Sequence, residues 1–170
     1  MRLLFLSCAV PALLLFVSCR KKNVWRTDFS GALQEAQEHE KELFVLFSGE
    51  DWDGKTSVFR SEVLDTDAFH AFAKDRYVLL NIDLSEAEQA RTIVAPDAGA
   101  QEQAEAARLQ SGIDAKADVI RRYGISSYPT VCVLSKEGYV LSVVQYDEAL
   151  NEIDREAKAQ ALADAEEKVR

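Results

Sequence analysis

Short apolar runs alternate with amphipathic stretches along residues 25–145, a pattern that predicts strands separated by helices. Residues 43–47 and 77–84 are almost continuously apolar and have strand length, which is typical of strands covered on both faces. Residues 130–145 predict a hairpin with its turn at Gly138. This order indicates an α/β sandwich in which helices flank a central mixed sheet.

Short polar residues mark most of the expected helix starts. The predicted starts are Asp28 or Ser30, Asp53, Asp65 or Thr66, Ser85, Ala100, Asp114 and Asp147. Ser85 is supported further because Glu88 follows three residues later, which is the spacing of a capping box. The helix from Asp53 is expected to turn three apolar side chains inward, those of Val58, Phe59 and Val63.

Glycines mark two expected helix ends. Gly112 is expected to end the helix from Ala100, and Gly124 is expected to end the helix from Asp114. Residues 85–113 are longer than a minimal crossover needs, so we predict a helical insertion there. Residues 25–27 are expected to form an edge strand.

Residues 1–18 predict a signal peptide rather than a part of the fold. Arg2 precedes an apolar run at residues 3–17, which is too short to span a bilayer comfortably. The run ends in Phe-Val-Ser-Cys, which resembles a bacterial lipobox. This resemblance implies cleavage before Cys19, lipidation of its sulfur, and residues 19–24 as a tether to the domain at 25–170.

Two other fates of this N-terminus stay open. Ordinary secretory cleavage would release the domain, and an uncleaved segment would act as a signal anchor. Arg20, Lys21 and Lys22 follow Cys19 directly, where basic residues disfavour translocation of the chain that follows. Lipidation predicts a protein of the bacterial cell envelope, anchored on its extracytoplasmic side, where we expect it to face the periplasm.

The charge and the cysteines limit the chemistry further. The formal net charge of −9 argues against nucleic-acid binding. The chain has three cysteines, of which Cys8 leaves with the signal peptide and Cys19 carries lipid. Cys132 is then the one free thiol, and a single thiol forms no internal disulfide. Because it lies in an apolar strand, Cys132 is expected to be a buried structural residue.

The segment after the first strand carries a motif that has a counterpart downstream. The chain reads Ser-Gly-Glu-Asp-Trp-Asp-Gly-Lys-Thr from Ser48, and Ser-Tyr-Pro-Thr from Ser127 leads into another apolar strand. The pair resembles the active-site segments of the thioredoxin-like family, in the variant where a serine and an Asp-Trp pair precede Cys-x-x-Cys. The positions that keep the register of that variant are Ser48, Asp51, Trp52, Glu62 and Val63.

Asp53 and Thr56 stand at the two positions where this resemblance places cysteines. Thiol–disulfide exchange needs one sulfur to attack and another to resolve, and neither a carboxylate nor a hydroxyl does this. The resemblance also implies a cis peptide before Pro129, facing the turn, with Trp52 and Tyr128 bordering a peptide-binding surface. The alternative is an ordinary helix N-cap at Asp53 that has no function beyond structure.

A phosphate-loop pattern overlaps the same turn. Residues 49–56, from Gly49 to Thr56, satisfy G-x-x-x-x-G-K-[ST] between a strand and a helix. Three carboxylates in this loop would repel phosphate oxygens, each by about 4 kcal/mol at 4 Å and an effective dielectric of 20. His39 and His70 lack partners at metal-ligand spacing. We therefore expect no metal and no cofactor, and nucleotide binding is the weakest hypothesis.

The leading hypothesis is a membrane-anchored thioredoxin-like protein without a redox pair, which binds or assists the folding of protein or peptide partners. The expected site comprises the degenerate positions Asp53 and Thr56 and the surface of Trp52, Tyr128 and Pro129. One alternative is an oxidoreductase or transferase that uses Cys132 alone. Another is a purely structural envelope component.

Overall fold

The computed structural model describes residues 24–146. The predicted signal peptide, the lipidated Cys19, most of the tether and the helix expected from Asp147 lie outside this range. Within it, a four-stranded mixed sheet carries helices on both faces. This is the architecture that the sequence predicts.

The sheet has the order β2-β1-β3-β4. Its strands are β1 at Glu42–Ser48, β2 at Tyr77–Asp83, β3 at Thr130–Leu134 and β4 at Val140–Gln145. β1 pairs in parallel with β2 and antiparallel with β3, and β4 forms the antiparallel outer strand. Six of the seven β1 residues are buried, which explains its uninterrupted apolar sequence.

Within residues 24–146, four of the five α-helices begin at polar residues that the sequence indicates. The helices are α1 at Phe29–Glu38, α2 at Gly54–Phe59 continuing into a π-helical turn at Arg60–Leu64, α3 at Asp67–Ala73, α4 at Glu86–Ala90 and α5 at Ala100–Tyr123. The side chains of Asp28, Asp53, Thr66 and Ser85 accept hydrogen bonds from the first-turn amides of four of them.

Two details of these helices differ from the prediction. α5 runs without interruption through Gly112, and Asp114 accepts a bond from Gln110 within the helix instead of capping a new one. An interior glycine costs only about 1 kcal/mol, which does not end a helix of this length. Val58 is 42% exposed rather than inward, because the inward face of α2 is made by Thr56 and Phe59.

The predicted edge strand at 25–27 is also reduced. Only Arg26 bridges to the sheet, in parallel with Leu80 of β2. Trp25 nevertheless reaches the core, where its ring stacks on Phe69 at a centroid distance of 6.2 Å and meets Phe44 edge to face. The segment is therefore held by packing more than by strand pairing.

Each face of the sheet has its own apolar cluster. One cluster joins α2, the π-helical turn and α3 to Phe44, Leu46 and Val131. The other joins α1 and the end of α5 to Val45, Phe47 and Cys132. Within residues 24–146, no helix has the combined length and hydropathy that crossing a bilayer requires.

Candidate functional site

The candidate site lies where the carboxyl ends of β1 and β2 meet the start of β3. Residues 48–56, which we call the site turn, connect β1 to α2. Ser127 to Pro129 lead into β3 opposite this turn. The peptide between Tyr128 and Pro129 is cis, as the resemblance implies. The hydroxyl of Thr130 donates to the carbonyl of Ser127 at 2.7 Å and closes the bend.

Asp53 and Thr56 are joined by a side-chain hydrogen bond. The Thr56 hydroxyl donates to Oδ2 of Asp53 at 2.8 Å, and the amide of Thr56 donates to the same oxygen at 3.1 Å. The amide of Lys55 donates to Oδ1 at 3.3 Å. Thr56 is fully buried. The two positions where the resemblance places cysteines are thus joined by a side-chain hydrogen bond, and the Asp53 carboxylate also caps the helix start.

Trp52 and Tyr128 form the exposed part of the site. Their rings meet edge to face at 5.5 Å, and Trp52 is 43% exposed. The Trp52 indole donates to the carbonyl of Leu84 at 2.6 Å, which fixes its orientation. Gly49 lies beneath the ring, where an added Cβ would approach the indole to 2.2 Å. Burial raises the pKa of the Tyr128 phenol. Pro129 is buried, so the expectation that it forms part of the exposed surface is wrong, and Trp52 with the partly buried Tyr128 supplies that surface. We refer to Trp52 and Tyr128, together with the adjoining Pro129, as the site surface.

Asp51 ties the site turn to α4, a contact that sequence reasoning missed. Its carboxylate accepts from the Ser85 hydroxyl at 2.7 Å and from the amides of Glu86 and Ala87 at 3.0 and 2.8 Å. These bonds lower the pKa of Asp51, the Ala87 amide most strongly, then Ser85. The sequence identifies Asp51 as a position of the family motif and Ser85 as a helix start. Neither signal shows that the two side chains are in contact, because that contact depends on the tertiary structure.

A second polar group holds the base of the turn. Oδ1 of Asp83 accepts from the Ser48 hydroxyl and from the Glu50 amide, both at 2.9 Å. Glu50 in turn accepts from Asn81 and pairs with Arg60 at 2.9 Å. Asp83 therefore holds the backbone of the turn at Glu50, and the Glu50 side chain connects the turn to Asn81 and Arg60.

This hydrogen bonding also bears on the phosphate-loop pattern. Phosphate binding in such loops depends on free backbone amides that point at the ligand. Here the amides of Trp52 and Asp53 donate to the Gly49 carbonyl, and those of Lys55 and Thr56 donate to Asp53. Four amides of the pattern at residues 49–56 are thus already used within the turn, which disfavours phosphate binding there.

Cys132 lies within β3, opposite Val45 of β1, and does not contribute to the site surface. It is fully buried, and burial raises the pKa of its thiol to about 11. His39 is the C-cap residue of α1 and His70 lies within α3, and both line a groove near the starts of β1 and β2, away from the site turn. Within residues 24–146 no group of three or more His, Cys, Asp or Glu side chains has the arrangement of a metal site.

A family model described as a thioredoxin-like domain matches residues 29–153. The chain belongs to the thioredoxin-like family. A stretch of 60 residues is 37% identical to the thioredoxin-related protein DsbJ of Chlamydia pneumoniae, and it covers 35% of this chain and 17% of that relative. The matched stretch is thus a small part of the relative's length.

Two solved structures extend the comparison of this thioredoxin-like protein. A DsbH oxidoreductase superposes with a TM-score of 0.54 at 14% identity, covering 79% of this chain and 83% of that one. A thioredoxin from Thermus thermophilus gives a TM-score of 0.48 at 17% identity, covering 78% and 86%. The DsbH likeness supports the fold and says nothing of activity at this identity.

Proposed function

We propose that this thioredoxin-like protein is lipid-anchored at Cys19 on the extracytoplasmic side of a bacterial envelope. There it binds protein or peptide segments on the site surface without exchanging disulfides. The observation that carries this proposal is the Thr56–Asp53 hydrogen bond, which maintains the site turn without sulfur. The adjoining Trp52 remains exposed.

The first support is chemical. Disulfide exchange needs a thiolate and a second sulfur. The site turn has instead a carboxylate and a hydroxyl that are hydrogen-bonded to each other. The Asp53 carboxylate accepts three hydrogen bonds at a helix start, and it carries no sulfur that could attack a disulfide.

The second support is the shape of the site surface. Trp52 is held by its bond to the Leu84 carbonyl and by Tyr128, so its exposed ring is already oriented before any partner arrives. Exposed aromatic side chains that are fixed in place contribute strongly to protein interfaces because little conformational freedom is lost on binding. We infer that an apolar or aromatic side chain of an extended segment is bound there.

Binding to the full-length protein can be measured by the fluorescence anisotropy of a dye-labelled polypeptide that is reduced, alkylated and therefore permanently unfolded. We expect Trp52→Ala and Tyr128→Ala each to weaken binding about tenfold, which corresponds to loss of roughly 1.4 kcal/mol. Tyr139→Ala is the matched control, because Tyr139 is 73% exposed and lies in the turn before β4, away from the site. Equal binding by all three variants would contradict the proposal.

Catalysis is tested separately by insulin reduction in the presence of a dithiol. The natural protein is expected to show no turnover, whereas the double variant Asp53→Cys, Thr56→Cys is expected to gain it, because the scaffold around both positions is retained. Turnover by the natural protein would overturn the non-catalytic assignment.

The single-thiol alternative predicts a different result. A reactive Cys132 would label rapidly in the native protein, but its full burial and raised pKa disfavour the thiolate. We expect labelling of Cys132 only after unfolding. Rapid native labelling of this residue would favour an enzyme that acts through it.

A further inference from the structure

A groove lies at the end of the sheet opposite the site surface. It has a volume of about 600 Å³, and its lining includes Val24, Arg26, Lys41, Lys74 and both histidines of the chain. We call it the anchor-end groove. Lys41 directly precedes β1, whereas the site turn follows it. Since β1 has seven residues, at about 3.3 Å each, the two ends of the strand are about 20 Å apart.

The groove is close to the predicted lipid attachment point. Val24, which lines it, is separated from Cys19 by five peptide steps. Those steps reach at most about 18 Å when fully extended, at 3.3–3.6 Å per residue. A lipidated Cys19 would therefore hold this end of the domain near the headgroups.

The charges of the groove differ from those of the chain as a whole. Lys41 donates to the carbonyl of Lys74 at 2.6 Å, and its charge also interacts with the carboxylate of Glu35. The Lys74 side chain is 67% exposed and forms a long ion pair with Asp75 at 3.8 Å. Arg26 is paired with Glu35, and Glu35 and Asp67 line the groove together with Arg26, Lys41 and Lys74, so the three cations of the lining exceed its two carboxylates by one charge. Arg20, Lys21 and Lys22 of the tether add three cations to this end of a chain whose net charge is −9.

We propose that the anchor-end groove rests on anionic lipid headgroups and turns the site surface away from the membrane. The inference rests on the anchor proposed at Cys19. A short tether alone permits many tilts, whereas Lys41 and Lys74 favour the tilt that brings them to an anionic surface. Partners would then reach Trp52 from the side facing away from the bilayer.

The two tryptophans of the chain allow a direct test, because Trp25 is at the anchor end and Trp52 at the site surface. The lipidated full-length protein is reconstituted into phosphatidylcholine vesicles containing phosphatidylglycerol and dansyl-labelled headgroups. We expect energy transfer in the Trp52→Phe variant, which reports Trp25, to be several-fold higher than in the Trp25→Phe variant. Should Trp25→Phe unfold, the contribution of Trp52 is the difference between the natural protein and Trp52→Phe.

Charge variants test the cause of the orientation. Lys41→Glu with Lys74→Glu is expected to abolish most of the difference between the two tryptophans. The matched pair Lys55→Glu with Arg91→Glu makes the same change in charge at exposed positions beyond the groove and is expected to preserve it. Neutral Lys41→Gln with Lys74→Gln should give an intermediate result. Vesicles of phosphatidylcholine alone should reduce the difference even for the natural protein.

The experiments distinguish a failure of the proposed lipid anchor from a failure of the proposed orientation. Mass spectrometry that finds no lipid on Cys19 would overturn the anchor and this inference together. A lipidated protein with equal transfer from both tryptophans, or more from Trp52, would overturn the orientation alone and leave the proposed binding function standing.

Discussion

The site turn at residues 48–56 and the helical segment at residues 86–123 are both connections between strands, yet they are stabilised in different ways. In the turn, Ser48 and Thr56 are fully buried polar residues with hydrogen-bond partners. In the helical segment, α4 buries no side chain, and the 24 residues of α5 bury Ala106, Val119 and Ile120. The turn depends on tertiary contacts, whereas the segment depends largely on its own backbone.

This difference shows which of the two connections has the more closely fixed local structure. A connection between strands can lack internal hydrogen bonds and remain an irregular loop. The site turn instead keeps the Thr56–Asp53 bond and the fixed Trp52 ring in the absence of cysteines. We infer that the shape of this turn, rather than sulfur chemistry, is what the protein uses.

The largest expected contrast concerns the helix that follows the turn. Phe59 is fully buried and meets Tyr146 edge to face at 5.8 Å. Phe59→Ala is expected to lower the free energy of unfolding by about 3–5 kcal/mol through lost burial and the cavity left behind. Its neighbour provides the control, because Val58 is 42% exposed and Val58→Ala should change stability by less than about 0.5 kcal/mol. Urea titration measures both, and similar losses would show that α2 is oriented differently.

The second contrast compares carboxylates of the two regions. Asp53→Ala removes the bonds to two amides and to the buried Thr56 hydroxyl, so we expect a loss of about 2 kcal/mol, the upper range for an N-cap. Asp97 is exposed between α4 and α5, and Asp97→Ala is expected to stay within about 0.5 kcal/mol of the natural protein. An equal effect of both substitutions, measured as urea midpoints, would remove the distinction between the regions.

Glycines of the helical segment give the third contrast. Nothing lies within 4 Å of a Cβ added at Gly112, so Gly112→Ala is expected to stabilise the protein by about 1 kcal/mol through helix propensity. Gly124 ends α5 with a φ of 66°, and Gly124→Ala is expected to destabilise by about 1–2 kcal/mol in this left-handed conformation. Thermal unfolding of both variants decides the matter, and a loss of stability in Gly112→Ala would mean that something packs against that position.

Much of the fold could be predicted because its signals are local. The apolar run of β1 and the cap residues Asp28, Thr66 and Ser85 each act within a few residues of their own position. The prediction was wrong where a weak local signal was outweighed. Gly112 disfavours a helix only slightly, and the good helix formers around it continue α5 through that point.

The proximity of the candidate-site residues was predictable, but the hydrogen bonds that hold them in place were not. The resemblance to the thioredoxin-like family predicted that Trp52, Tyr128 and Pro129 are neighbours. The structure places the two aromatic rings in contact. The bonds from Asp51 to the start of α4 join positions 34 to 36 residues apart. No periodicity or propensity reports such a pairing, because it depends on how β2 directs the chain past the turn.

The smallest expected effect concerns Asp51, where the two regions meet. Its folded-state pKa is lowered by the Ala87 amide first and the Ser85 hydroxyl next. The stabilisation from its carboxylate is therefore present above the unfolded pKa of about 3.9, and it is lost as the pH falls through the lower folded value. Asp51→Asn should thus unfold at lower urea than the natural protein at pH 7, and the gap should close on acidification below about pH 4. A difference in urea midpoint between the two proteins that stays constant with pH would mean that the hydrogen bonds, and not the charge of Asp51, connect the turn to α4. The turn would then be coupled to the helical segment by geometry alone.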